Sequence, residues 1–159
     1  GAPGKALEPY IKKLTTHIID DEQYVEFACD IHEEQDPYHP ETALFPPHNI
    51  RDTAGRKLYG RLQDVYEAHA TLSHVKWMDK TRYSSFAGTE LFIRLRERGI
   101  QELHLVGVCT DICVLHTAVD AYNLGFRIII HEQGVASFND AGHTWALEHF
   151  KHSLGATVK

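Results

Sequence analysis

Three short stretches carry side chains that could do chemistry together. The first is VGVCTDICVLHTAVDAYNLGF, Val106 to Phe126, which reads as a strand, a sharp turn and a helix ended by Gly125. With Thr110 as the helix cap, Cys113 falls at the third helical position. Free backbone N–H groups and the positive end of the helix dipole favour a thiolate there. Two backbone N–H groups of the Cys109 to Cys113 turn can also form an oxyanion hole. The second stretch is Asp30-Ile31-His32, at the end of a strand. Residues i and i+2 of a strand point to one side. The chain then enters a proline-rich loop carrying His39, Glu41 and His48. Carboxylates and imidazoles with open positions suit a divalent metal such as zinc, iron or manganese. The third stretch is MDKTRYSSF, in which Lys80 follows a strand and Tyr83 and Phe86 offer aromatic surface to a flat ligand. A lysine close to a thiol lowers the thiol's pKa.

Each feature has a plainer reading. Most cysteines are small buried hydrophobes. A lysine at a strand end is usually solvated, and the Asp-x-His can be a polar strand end with unrelated loop histidines. Their joint occurrence at the carboxyl ends of three parallel strands favours a site, because such ends converge on one cleft.

The elements that must position these residues alternate in kind. A helix with Leu7, Tyr10, Ile11, Leu14 and Ile18 on one face opens the chain, with Pro9 tolerated in its first turn. Strands are expected at Tyr24 to Ile31, Ser73 to Met78, His104 to Val108 and Arg127 to Glu132, with an edge strand at Ala156 to Val158. Further helices are expected at Leu58 to His69, Thr89 to Arg98, from Thr110 to Gly125, and Gly142 to Leu154. The central helix should bury Leu115, Ala118, Val119 and Tyr122. Strands alternating with helices predict an α/β fold, a three-layer α/β/α sandwich around a mainly parallel sheet. The irregular segment from His32 to about Ala54 is long for a compact domain, and its Tyr38, Leu44 and Phe45 argue for an ordered, functional loop.

Length and composition set bounds. The 159 residues fit one domain, and the net charge of −6 argues against nucleic-acid or membrane partners. No apolar run approaches a membrane span. Three cysteines without scaffold spacing read as reduced thiols, so a cytoplasmic location is expected. The sequence leaves homo-oligomerisation open.

The order CDIHEEQDPYHPETALFPPH, WMDKTRYSSFAGT and GVCTDICVLHTAVDAYNLGF resembles the nicotinamidases of the isochorismatase-like cysteine hydrolases. The resemblance covers nearly the whole chain, and the pattern TDICVLHTAVDA is specific to that superfamily. It implies that Cys113 is the nucleophile and Lys80 the lysine of a catalytic triad. It implies a metal, zinc first, with iron or manganese as alternatives, held by Asp30, His32 and His48. Glu41 would join directly or through water, while His39 has no ligand role. Phe45 and Tyr83 would stack on the substrate ring. The Val108–Cys109 peptide would be cis, aiming the Cys109 N–H, with that of Cys113, at the oxyanion. The implied reaction is hydrolysis of nicotinamide to nicotinate and ammonia, with pyrazinamide a second substrate.

Family members begin with a strand ending in the triad's aspartate, and no residue here matches it. The expectation is a single domain over residues 1–159 lacking that strand, which would lie between the strands at Tyr24 to Ile31 and His104 to Cys109. Two alternatives stay open at this point. One is another amidase or isochorismatase-type hydrolase of the same fold. The other is a non-catalytic ligand-binding fragment.

Overall fold

The β-branched and aromatic runs form five strands, all parallel to their neighbours. The computed structural model describes residues 1–159. One helical turn, α1 (Ala2–Lys5), precedes the amphipathic α2 (Glu8–Asp20). Strand β1 (Val25–Asp30) pairs with β2 (Val75–Lys80), which follows α3 (Arg61–His69). Val25 lies opposite Val75 and Asp30 opposite Lys80. After α4 (Leu91–Glu97), β3 (Glu102–Val108) pairs with β4 (Arg127–Ala136), and β4 with the short β5 (Thr157–Val158). Helix α5 (Leu115–Asn123) joins β3 to β4, and α6 (Asp140–His152) joins β4 to β5.

Two apolar clusters define three layers. Met78, Leu91, Leu95, Ala118, Ala121, Ile128, Ile130, Ala146 and Phe150 pack α4, α5 and α6 onto one face of the sheet. On the other face Ile19 of α2 and Val65 of α3 pack on Val75. The fold is a three-layer α/β/α sandwich.

The sheet is divided. Strands β1 and β2 form one part, and β3, β4 and β5 the other. An open cleft of about 1140 Å³ separates β1 from β3, and Leu7, which precedes α2, lines it together with Ile11, Leu14 and Ile18 of α2. The strand expected to have neighbours on both sides at Tyr24 to Ile31 therefore pairs only with β2, and that at His104 to Cys109 only with β4. Every residue of β1 is only partly buried in consequence, whereas Ile130 of β4 is wholly buried.

Two expectations are corrected. Thr110–Val114 is a single π-helical turn capped by Cys109, with the Val114 N–H donating to the Cys109 carbonyl at 3.2 Å, and α5 begins only at Leu115. Cys113 therefore does not occupy the third position of a regular helix capped by Thr110. The π turn holds one extra residue, and one residue is about 100° of rotation. The buried stripe accordingly moves by one position, to Val114, Thr117, Ala118 and Ala121, and Tyr122 is 51% exposed. Strand β4 also runs beyond Glu132. Its pairing with β3 jumps from Leu105↔Ile130 to Gly107↔Val135, so the residues between bulge and break the pattern readable in sequence.

The long loop after β1 folds back on the strand it leaves. The His32 N–H donates to the Asn49 carbonyl at 3.0 Å, and the Arg51 N–H to the His32 carbonyl at 2.9 Å. This parallel bridge between His32 and Ile50 brings His48 to the end of β1. A 3-10 turn, Pro40–Ala43, holds Glu41 inside the loop.

No helix is long and apolar enough to cross a membrane.

Candidate active site

Imidazoles and a carboxylate meet where the loop closes on β1. One donor atom each from His32, His39 and Glu41 lies within 4.8 Å of the others, and all three residues are buried. Glu41 Oε2 is 3.5 Å from His32 Nε2 and 3.3 Å from His48 Nε2. The His32 ring lies 4.4 Å from the rings of both His39 and His48.

Hydrogen bonding sorts these histidines. The Glu41 N–H donates to His39 Nδ1 at 3.1 Å, so neutral His39 carries its proton on Nε2 and faces the cluster as a donor. His48 has the opposite arrangement. Its Nδ1–H donates to the Pro46 carbonyl at 2.8 Å, which leaves a lone pair on Nε2 beside Glu41. Both nitrogens of His32 and Nε2 of His39 are buried without a partner. Such groups cost about 1–3 kcal/mol each when left unpaired. Burial lowers the His32 pKa despite the opposing pull of Glu41, which keeps its imidazole in the neutral form that binds metals. The donor set at His32, Glu41 and His48 thus fits a divalent cation.

Asp30 stands at the border of this cluster. Its Oδ1 accepts from Lys80 Nζ at 2.5 Å, and the same ammonium donates to the carbonyls of Arg82 at 2.9 Å and Tyr83 at 3.0 Å. Lys80 is only 5% exposed. Arg56 steadies the strand end by donating to the Asp30 carbonyl and to Asp79.

Cys113 reaches the same place from the other part of the sheet. Asp30, Lys80 and Cys113 together line the cleft between β1 and β3. Burial pushes the Cys113 thiol up to about 11; Lys80 pulls it down, while Asp30 and Glu41 push it up. Burial and these carboxylates thus oppose the thiolate that a helix start favours. Burial also raises Cys29, to about 12, and Cys109. The Val108–Cys109 peptide is cis.

The aromatic residues flank the two halves. Phe45 lies edge-on to His48 at 6.3 Å and to Phe138 at 6.4 Å. The Tyr83 ring lies 5.3 Å from that of His116. Sequence reasoning missed Phe138, 71% exposed beside Phe45; it named His39 with the loop imidazoles but gave it no ligand role, whereas the structure draws it into the cluster. The only signal for Phe138 was its position just past a buried strand.

Strand carboxyl ends that present a thiol, a lysine and a histidine–carboxylate cluster define an α/β enzyme. Residues 4–159 match the Isochorismatase domain, and the chain belongs to the isochorismatase family of hydrolases. It is 60% identical to the uncharacterized isochorismatase family protein PncA of Bacillus subtilis (strain 168), over 99% of this chain and 86% of that one. The crystal structure of nicotinamidase/pyrazinamidase PncA from Bacillus subtilis superposes with a TM-score of 0.96 at 60% identity, covering 98% of this chain and 85% of that one. The pyrazinamidase/nicotinamidase of Streptococcus mutans UA159 superposes with a TM-score of 0.96 at 50% identity, covering 99% and 87%.

Proposed function

We propose that the protein is a metal-containing cysteine amidohydrolase that converts nicotinamide to nicotinate and ammonia and also accepts pyrazinamide. The observation that carries the reading is the meeting of Cys113, Lys80 and Asp30 with the unpartnered nitrogens of His32, beside Glu41 and His48. Similarity to the nicotinamidases of Bacillus subtilis and Streptococcus mutans supports the choice of amide.

His32, His48, Glu41 and the second oxygen of Asp30 would hold the cation. Zinc suits this mixed nitrogen and oxygen set best, with iron or manganese next. A bound cation supplies a Lewis acid for the ring nitrogen of a pyridine carboxamide. Phe45 and Tyr83 sandwich the ring and direct the carboxamide toward Cys113. The Cys113 sulfur, as it loses its proton, attacks the amide carbon, and the backbone N–H groups of Cys109 and Cys113 hold the oxyanion. Lys80 stabilises the negative charge on sulfur. The C–N bond breaks as the leaving nitrogen takes a proton and departs as ammonia. Water then cleaves the thioester to nicotinate and restores the thiol.

The proton acceptor in this proposal is an aspartate on a further strand, seated between β1 and β3 and carried by residues outside this sequence. The unpaired facing edges of β1 and β3, the apolar face of α2 and the raised Cys113 thiol support it. A structure of the full natural polypeptide with β1 and β3 still apart and nothing between them would reject this part.

The test of the whole is ammonia release from nicotinamide, pyrazinamide and unrelated amides, run with elemental analysis. Release from nicotinamide with about one cation per chain is expected. Preference for an aliphatic amide would make the protein another amidase of the family, and metal-free turnover would remove the cation from the site.

A further inference from the structure

We infer that Gly142, at the start of α6, is a positioning residue for the nucleophile turn, and that it acts through Asp111. The inference rests on the proposal that Cys113 is the nucleophile. Gly142 has ordinary helical backbone, and glycine is a poorer helix former than alanine. Its presence therefore calls for a spatial reason. A Cβ at residue 142 would lie 2.0 Å from Asp111 Oδ2 and 2.9 Å from Asp111 Cγ. Turning the carboxylate about its Cβ–Cγ bond leaves Cγ where it is, so only a swing of the whole side chain relieves the clash. That swing is opposed, because Asp111 Oδ1 accepts from the Ser137 hydroxyl at 2.7 Å.

The same end of α6 grips the turn a second time. Thr110, wholly buried, shares a hydrogen bond of 2.7 Å with Nδ1 of His143. Ser137 and Asn139 complete the arrangement. The Asn139 N–H donates to Ser137 Oγ at 3.1 Å, and Asn139 Oδ1 caps the helix by accepting from the Gly142 N–H at 3.1 Å. Thr110 and Asp111 share one π turn with Cys113, and Cys109 caps it. Because the Ser137 bond resists the swing, the clash is passed to the backbone of the turn, and with it to the sulfur and the two N–H groups assigned to the oxyanion. The proposed ring-holding residues lie on other segments and stay in place.

The experiment is a double-mutant cycle of Gly142→Ala and Asp111→Ala, read in two ways. The first is kcat and KM on nicotinamide; the second is the rate of Cys113 alkylation by iodoacetamide, which needs no amide substrate. Gly142→Ala is expected to lower kcat on the order of 100-fold, the scale of an ångström's misplacement, with KM unchanged. Alkylation of Cys113 should slow in parallel. In the Asp111→Ala background the same substitution should have much less effect on either, because the clash with Asp111 is gone and only the 3.0 Å approach to Asn139 Nδ2 remains. Equal losses from Gly142→Ala with and without Asp111 would overturn the inference. If Gly142→Ala fails to fold, the double variant should fold; its failure as well would count the same way. If the parent releases no ammonia from nicotinamide yet the alkylation rates show the coupling, the choice of substrate falls and the role of Gly142 stands.

Discussion

Asp30 and Lys80 end neighbouring strands at the same level of the sheet, and the lysine donates to the carboxylate at 2.5 Å. The pair joins the histidine cluster to the thiol, since Asp30 belongs to the segment entering the loop and Lys80 acts on Cys113. Replacing Asp30 with Ala leaves a buried ammonium with two carbonyl partners and no counter-charge. The expected loss of stability is about 3 kcal/mol, the lower end for a broken buried pair. Urea denaturation of Asp30→Ala, Lys80→Met and the double variant checks it. The double variant should be less destabilised than the sum of the two, and strict additivity would show that the pair does not couple.

Metal content should fall strongly in His48→Ala and Asp30→Ala and less in His39→Ala. His48 presents a lone pair to the cluster, whereas His39 already spends Nδ1 on the Glu41 N–H and presents a proton. Elemental analysis of purified variants, at equal protein concentration, decides this. Full occupancy in both His48→Ala and Asp30→Ala would reject the assigned ligands.

The two cysteines of the nucleophile turn should behave differently. Cys113→Ala is expected to abolish turnover, and Cys109→Ala to retain much of it, because only the backbone N–H of Cys109 is asked to act. Steady-state ammonia release measures both. Comparable losses in the two variants would contradict the assignment.

Alkylation of the wild type should mark Cys113 before Cys29 and accelerate as pH rises from 7 toward 11. Burial holds Cys29 higher than Cys113, at about 12 against about 11. Lys80→Met removes the cation that pulls Cys113 down, so its alkylation at a given pH should slow. Peptide mapping by mass spectrometry that finds Cys29 modified before Cys113 would oppose the proposal.

Stability should fall at alkaline pH. Both thiols titrate higher in the folded chain than their ordinary 9.0, so folding favours their protonated forms. That contribution is complete below pH 9 and is lost as pH rises toward 11 and 12, where the unfolded chain releases protons that the folded chain retains. Melting temperatures between pH 8 and 11 should decline, and less so in Cys29→Ala if that variant packs as well as the parent.

Much of this site is legible in the amino-acid sequence. Asp30-x-His32, Lys80 and Cys113 each sit just past or at the end of a β-rich run. Local periodicity marks such runs, because side chains alternate on a strand and recur every 3.6 residues on a helix. The order of strands and helices likewise implies parallel pairing, since only a crossover can join parallel neighbours. Other facts depend on residues far apart in the chain. The bridge from His32 to Ile50 sets His48 beside Glu41, and the Glu41 N–H decides which nitrogen of His39 is protonated. The π turn at Thr110 to Val114 rotates the buried face of α5 away from Tyr122, and the bulge in β4 extends that strand past Glu132. A helix start favours ready ionisation of the Cys113 thiol, yet burial and the charges of Asp30 and Glu41 outweigh Lys80. Spacing along the chain encodes which face a residue takes on its own element. Solvation, charge and hydrogen-bond partners are set by the elements packed around it, and these only the tertiary structure brings together.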